Sequence, residues 1–405
     1  MDFALSEEQE MLKASARRLL EEVCTESFIR EMEKDRNGYS QELWKRMAGL
    51  GWLGIVFPEA YGGAGNGIVD LAVLYGEFGR AMLPGPHLST VVLCGLALLD
   101  AGSREQQTEF LPGIARGELV MAFALTEPSA GWDARSIKVM AKSDGNGYLI
   151  NGAKLFVHDA HVADYILCVA RTKETVDPEE GITLFLIDAR SSGINCTLLK
   201  TTAGDNKQCE VVFDNVRVPE KSVVGKLNGG WKTVSRVLQV GAVMLCAQMA
   251  GASQRLLGLT VEYARTRVQF DEPIGVNQYV QEHCVNLLAC ADSSWWVTYQ
   301  AAWKLGNNQP CAMEVAMAKG WTSEAHEQAC WYAHQVFAGV GYTTGEGLLP
   351  LFSRRGKVAQ LYLGDAAYHR EVIAQQMEDW TLELPRGKPL GIFEEDQVAA
   401  WDRKM

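Results

Sequence analysis

No CxxC pair, no P-loop and no GxGxxG fingerprint occurs in the 405 residues, and each absence narrows the classes of protein open to the chain. Its ten cysteines are scattered singly, mostly among apolar neighbours, which argues against a disulfide framework and for free thiols in a reducing cytoplasm. Without a glycine-rich strand-to-helix turn, a Rossmann-type nucleotide site is disfavoured. Positive charge is also scarce. Thirty-eight Lys and Arg against 50 Asp and Glu leave a formal net charge of -12, which repels nucleic acid and anionic membranes, so a phosphate-bearing partner needs local cations and backbone donors. The opening "MDFALSEEQE" is acidic and lacks a signal-peptide core, and apolar runs such as "VGAVMLCA" (240–247) are far shorter than a bilayer span. These features predict a cytoplasmic protein with no nucleic-acid partner, no membrane insertion and no metal site.

What is present points to a large globular protein. The composition, 47% hydrophobic and 22% charged, suits two or three packed units at this length. Ser6 and Gln9 have capping-box spacing, and Leu12, Ala16, Leu19, Leu20 and Val23 recur at helical intervals. Helical patterns continue through "QELWKRMAGLGWLGI", pause at "PEAYGGAGNG" and resume to residue 118. From 119 the pattern turns β-like: "GYLINGAKLFV" reads as two strand segments around an Asn151-Gly152 turn, followed by "GITLFLIDA" and "CEVVFDNVRVP". Long helical patterns return after Gly229-Gly230. The expected fold is α+β and mostly α: a helical domain over 1–118, a barrel-like β domain over 119–228, and a helical domain with a tail over 229–405. Whether the tail "TLELPRGKPLGIFEEDQVAAWDRKM" docks or stays loose is left open.

Four motifs follow in order. "ALTEPSAGWDA" (124–134) suits a turn presenting backbone amides and the Thr126 hydroxyl, or equally a capped turn. It resembles the "TEPxAGSD" signature of the acyl-CoA dehydrogenase family. "NGAKLFVHDAHVADYILCVART" (151–172) is similar to that family's second β-domain signature, "YARTRVQFDEPIGVNQ" (263–278) to its "R-x-x-F-G-x-x-I-x-x-x-Q" stretch, and "HQVFAGVGY" (334–342) to its "Q-x-F-G-G-x-G" stretch. The resemblance covers about residues 1–380. It implies an FAD flavoprotein of three domains, commonly a tetramer whose FAD site is completed by a neighbouring subunit, acting on an acyl-CoA and passing electrons to an electron-transfer flavoprotein or similar acceptor. Homotetramer and heterotetramer both remain open.

The resemblance also implies site residues. Leu125, Thr126, Phe156 and His158 match positions lining the flavin ring, with Phe156 and His158 standing where tryptophan and threonine are usual. Trp132 replaces a serine that helps seat acyl-CoA and flavin. Arg267, Gln269, Phe270, Gln278, Gln335 and Gly339 match the far end of FAD. Arg267 offers a forked cation for a pyrophosphate, and Gly339 lets backbone approach closely. The catalytic glutamate is the departure. The usual "I-Y-E-G-T" motif matches Leu361 to Asp365, putting Leu363 at the base position, and the alternative position in some branches matches Gly241. Dehydrogenation at Cα and Cβ needs a base of raised pKa. Asp365, whose family counterpart faces FAD, His158 and His87 are the candidates left in this chain, for a branched, alicyclic or dicarboxylic acyl-CoA. Two alternatives are a heteromer whose partner brings the base, a branch that "GDAAYHRE" resembles, and a non-redox elimination or hydration on the same fold.

Overall fold

The computed structural model describes residues 3–202, 207–343 and 347–378, so the tail from 381 lies outside the described residues. The chain opens with α1 (Glu7–Val23), where the Ser6 hydroxyl accepts the Gln9 amide at 3.2 Å and the Gln9 side chain accepts the Ser6 amide at 3.0 Å. Its buried stripe is Ala16, Leu19 and Leu20, the helical spacing that the sequence carries. Next come α2 (Glu26–Lys34), α3 (Gln41–Gly49) and α4 (Ile68–Ala81). A π-helical stretch, Leu88–Gly95, then runs into α5 (Leu96–Ala101), and α6 (Arg104–Ala115) closes the unit.

The sheet comprises β1 (Met121–Ala124), β2 (Met140–Ser143), β3 (Gly147–His158), β4 (Tyr165–Arg171), β5 (Ile182–Asp188), β6 (Ile194–Leu198), β7 (Gln208–Pro219) and β8 (Val223–Val224). Their order is β6-β7-β3-β2-β4-β5-β8, with β1 parallel to β4 at Met121↔Tyr165. The Asn151-Gly152 turn expected from sequence instead lies inside β3, opposite a bulge in β7. Residues on both sides pair with β7, and the register slips between Ile150 and Gly152, where β7 carries the extra residue and its Asn215 takes φ 49°. A turn would have required the two flanks to pair with each other. The reversal lies earlier, where the Asp144 amide donates to the Gly147 carbonyl at 3.1 Å between β2 and β3.

The C-terminal helices are α7 (Trp231–Thr266), α8 (Gln278–Gly306), α9 (Ala312–Phe337), α10 (Gly339–Tyr342), α11 (Leu349–Leu361) and α12 (Ala366–Glu378). A hairpin of β9 (Val268–Gln269) and β10 (Glu272–Pro273) joins α7 to α8. Among the described residues α7 alone is long and apolar enough to span a membrane, but 72% of its most apolar window is buried by neighbouring elements. Its composition is therefore explained by packing. Two glycines let α4 and α7 cross at backbone contact: a Cβ on Gly79 would stand 1.8 Å from the Gln248 carbonyl oxygen, and one on Gly251 would stand 1.8 Å from that of Gly76. This crossing fixes α7 against the helical unit that carries the π-helical stretch.

Candidate active site

The first two motifs are joined by one ion pair. Lys154, on β3, is fully buried and donates to the Glu127 carboxylate at 2.7 Å and the Leu125 carbonyl at 2.9 Å. Glu127, 4% exposed, also accepts the amides of Lys138 and Val139 at 2.8 and 3.0 Å. Each charge is thus paired and hydrogen-bonded, the condition under which burial is tolerated. Thr126 and Phe156 flank this pair. Thr126 is 4% exposed and its hydroxyl makes no hydrogen bond among the described residues, while its carbonyl accepts the Leu155 amide at 2.8 Å. Phe156 sits at a second register slip of β3, with φ 54° and its side chain 44% exposed. A strained backbone holding an aromatic face outward, beside an orphan hydroxyl, fits the flat, polar-edged ring of a flavin.

Beyond Phe156 the strand ends at His158, whose ring stacks on Tyr362 at 3.9 Å between centroids. Its Nε2 meets the Gln208 side-chain amide at 3.1 Å, and burial lowers its pKa to about 3, so it is held neutral. Trp132 packs edge-on against the same Tyr362, with centroids 6.1 Å apart. Tyr362 and Leu363 follow α11 directly. Lys319, fully buried on α9, donates to the Gln360 and Gly364 carbonyls at 2.9 and 2.7 Å, and His369 donates to the Leu363 carbonyl at 3.0 Å. These bonds satisfy the open carbonyls at the helix end and hold Leu363 at φ 60°.

The two positions at which a glutamate is expected are neighbours in space, and both are apolar. A Cβ built on Gly241 would meet the Leu363 Cδ1 at 2.6 Å and the Leu93 Cδ2 at 2.9 Å, so leucine methyl groups fill the space that a carboxylate there would need. The other proposed bases separate clearly. Asp365 is exposed and accepts the Tyr368 amide at 2.8 Å, the bond of an N-cap for α12. His87 is buried with both nitrogens engaged: the Tyr75 hydroxyl lies 2.9 Å from Nδ1, and the Trp52 carbonyl 3.1 Å from Nε2. Burial lowers its pKa to about 4.

A carboxyl that lines a cavity with His158 and Tyr362 is Asp159, which sequence reasoning passed over. It follows His158 at φ 62° and lines a cavity of about 70 Å³ with His87, His158, Gln248 and Tyr362. The buried Ser89 hydroxyl, on the π-helical stretch, donates to its Oδ2 at 2.6 Å. Burial raises the Asp159 pKa to about 6, and the Ser89 bond moderates the rise. The signal in sequence was an acid directly after a motif strand, but nothing local told which way its side chain turns. A second cavity, about 190 Å³, lies against Trp132, Trp231, Gln239 and Leu363.

The remaining motif residues assemble elsewhere. Tyr263 near the end of α7 stacks on Phe337 near the end of α9 at 4.1 Å, which sets the end of α7 that leads into the β9–β10 hairpin against the end of α9 that leads to Gly339. Phe270 is 99% exposed, and Arg267, Gln269, Gln278, Gln335 and Gly339 are exposed with it. The Arg267 guanidinium makes no ion pair or hydrogen bond among the described residues. An unpaired fork beside an unburied ring is a donor set suited to a pyrophosphate and a heterocycle.

Family models for acyl-CoA dehydrogenase match in sequence: the N-terminal domain over 6–118, the middle domain over 122–216 and the C-terminal domain over 228–378. A 3-(aryl)acrylate reductase of Clostridium sporogenes is 31% identical over 92% of this chain and 99% of its own length. The subunit CarC of a caffeyl-CoA reductase-Etf complex from Acetobacterium woodii is 29% identical over 91% of this chain and 98% of its own. Among solved structures, an FAD complex of PigA superposes with a TM-score of 0.86 at 26% identity, covering 93% of this chain and 99% of that one.

Proposed function

The chain belongs to the acyl-CoA dehydrogenase family, an FAD-dependent oxidoreductase class, and from that premise we propose that Asp159 takes over proton handling from the missing glutamate. The reaction interconverts a saturated acyl thioester and its α,β-unsaturated counterpart. FAD, when bound, supplies the hydride acceptor or donor. Thr126, Phe156 and His158 would hold its ring, and Arg267, Gln269, Phe270 and Gln335 its distal half. The observation that carries the reading is the Asp159 carboxyl, with a pKa of about 6, in a cavity beside Tyr362, while Leu363 and Gly241 offer no proton acceptor. A carboxyl of that pKa is matched to abstracting a proton near neutrality. Because two relatives are named reductases, the step is written in both directions, and the group that takes the α-proton in one returns it in the other.

The acyl group proposed is compact and polar-ended. The Asp159 cavity has about 70 Å³, room for roughly two waters at ~30 Å³ each, and Tyr75, Gln248 and Arg355 give it polar lining. Phe78, Leu83, Leu88, Leu245 and Val358 add apolar walls, and it is the small volume that a long straight chain exceeds. Electrons leave for an electron-transfer flavoprotein, as the name of the Acetobacterium relative suggests for that protein.

An oligomer is part of the proposal. Gly241 and Arg267 are separated by about 39 Å along α7 at ~1.5 Å per residue, farther than one FAD reaches, so the two half-sites of one chain serve different cofactors. Exposed Tyr279, Trp296, Trp321 and Trp331 on α8 and α9 supply apolar surface for a subunit contact. Arg267→Ala is expected to weaken FAD binding roughly 10–100-fold, the value of one or two hydrogen bonds from a charged donor. Flavin retained after desalting, measured against protein, tests this; unchanged content removes Arg267 from the site.

Leu363→Glu is a complementary test. A carboxyl beside Gly241 is expected to raise solvent-deuterium incorporation at Cα of a bound saturated thioester by about 10²-fold, the low end for a positioned base. No gain, with the variant folded, would mean that Leu363 does not border the reacting carbon. The absence of a carboxylate at Leu363 and Gly241 also favours a second reading, a heteromer whose partner brings the base. Co-purification with a glutamate-bearing homologue, together with full turnover by Asp159→Asn, would select it.

A further inference from the structure

We infer that a cavity between α1, α4, α7 and α11 is a binding site for a small molecule bearing a phosphate or carboxylate group. The cavity has about 370 Å³, room for roughly a dozen waters, and shares no lining residue with the two cavities of the active site. Three guanidinium groups line it: Arg17 from α1, Arg80 from α4 and Arg255 from α7. Three glutamates line it as well, and their use decides the balance. Glu77 spends both oxygens on Arg17, at 2.6 and 3.0 Å. Glu26 accepts Arg30 at 2.9 Å and the Gly347 amide at 2.8 Å. Glu21 reaches Arg80 only at 3.5 Å.

Two donors are left without partners. The Arg80 Nε is buried and makes no hydrogen bond, and Arg255, half-buried, makes no ion pair or hydrogen bond among the described residues. In a chain with 50 acidic against 38 basic side chains, partners for an arginine are plentiful, so an unpartnered Arg80 Nε beside an unpaired Arg255 in one cavity calls for an explanation. Burial, with added repulsion from Arg17 and Arg255, holds the Arg80 guanidinium below the usual arginine range. An oxyanion between Arg80 and Arg255 would satisfy both donors and relieve that repulsion, since guanidinium forks match phosphate and carboxylate geometry. It would also tie α4 to α7, the helix that carries Gly241.

The test uses full-length, FAD-saturated protein and compares thermal midpoints in inorganic phosphate, in citrate and in chloride at matched pH and ionic strength. Phosphate or citrate is expected to raise the midpoint by about 2 °C or more over chloride through preferential binding to the folded state. Arg255→Gln, which breaks no existing bond, should keep the chloride midpoint and lose the increment. Calorimetric titration should give one phosphate or citrate site per chain in the parent and none in the variant. A response to phosphate alone identifies a phosphorylated ligand, and a response to citrate alone identifies a carboxylate. No anion-specific shift in the parent, or an equal shift in Arg255→Gln, overturns the inference.

Discussion

Replacing Asp159 by asparagine is expected to lower turnover by roughly 10²–10⁴-fold, the usual contribution of a positioned acid or base. The amide would keep the shape of the side chain and an acceptor for Ser89, so FAD content and substrate affinity should change little. The pH behaviour separates chemistry from structure. In the parent protein Asp159 must be deprotonated to take the α-proton, so kcat/KM for oxidation should rise with pH through a midpoint of about 6. The stability effect runs the other way. The folded-state pKa lies above the ordinary value of 3.8, so the folded form holds its proton more tightly than the unfolded chain, and stability falls as pH rises from about 4 through about 6. The neutral amide removes that penalty, and the variant should be at least as stable as the parent at pH 7. Lost turnover with undiminished stability is a combination that a merely structural residue would not give. Stopped turnover accompanied by a lower thermal midpoint would assign Asp159 to the scaffold instead.

Lys154→Met is expected to destabilise the protein by about 3–5 kcal/mol, the cost of leaving one member of a buried ion pair without the other. Glu127 would keep the amides of Lys138 and Val139 but lose its only cation among the described residues. The Leu125 carbonyl would lose a donor too. Because the pair joins Thr126 to the strand that displays Phe156, FAD retention should fall together with stability. Adding Glu127→Gln removes the uncompensated charge, so the double variant should recover part of the loss. Chemical denaturation of the parent and both variants measures this, and a single variant within about 1 kcal/mol of the parent would mean that water or rearrangement already solvates Glu127.

Much of the architecture was legible because its signals are local. The Ser6-Gln9 spacing makes a capping box wherever the helix begins, and the change from 3.6 to 2 periodicity marks the passage from helices to sheet. The motifs carrying Thr126, Phe156 and Arg267 were likewise readable as short strings. Other features depend on distant partners. Asn151-Gly152 has the composition of a hairpin turn, but β7 pairs with residues on both sides of it, and long-range pairing outweighs turn preference. Asp365 is the nearest acid in sequence to the expected base, and an Asp three residues before a helical amide is also a helix cap, the bond it makes here. Asp159 was missed because its setting comes from distant pieces: Ser89 lies 70 positions earlier and Tyr362 on the far side of α11. A pKa moved by burial is a property of assembled neighbours, and no short string encodes it.

The most direct measurement is anaerobic titration of FAD-loaded protein with compact, polar-ended acyl-CoA thioesters, following the flavin absorbance from about pH 5 to about pH 8 in the parent and in Asp159→Asn. The expected result is bleaching of the parent that becomes faster through about pH 6, with bleaching slowed by roughly 10²-fold or more in the variant. Equal bleaching in the two proteins, or none with any thioester while FAD remains bound, would contradict the assignment of Asp159 as the group that replaces the missing glutamate.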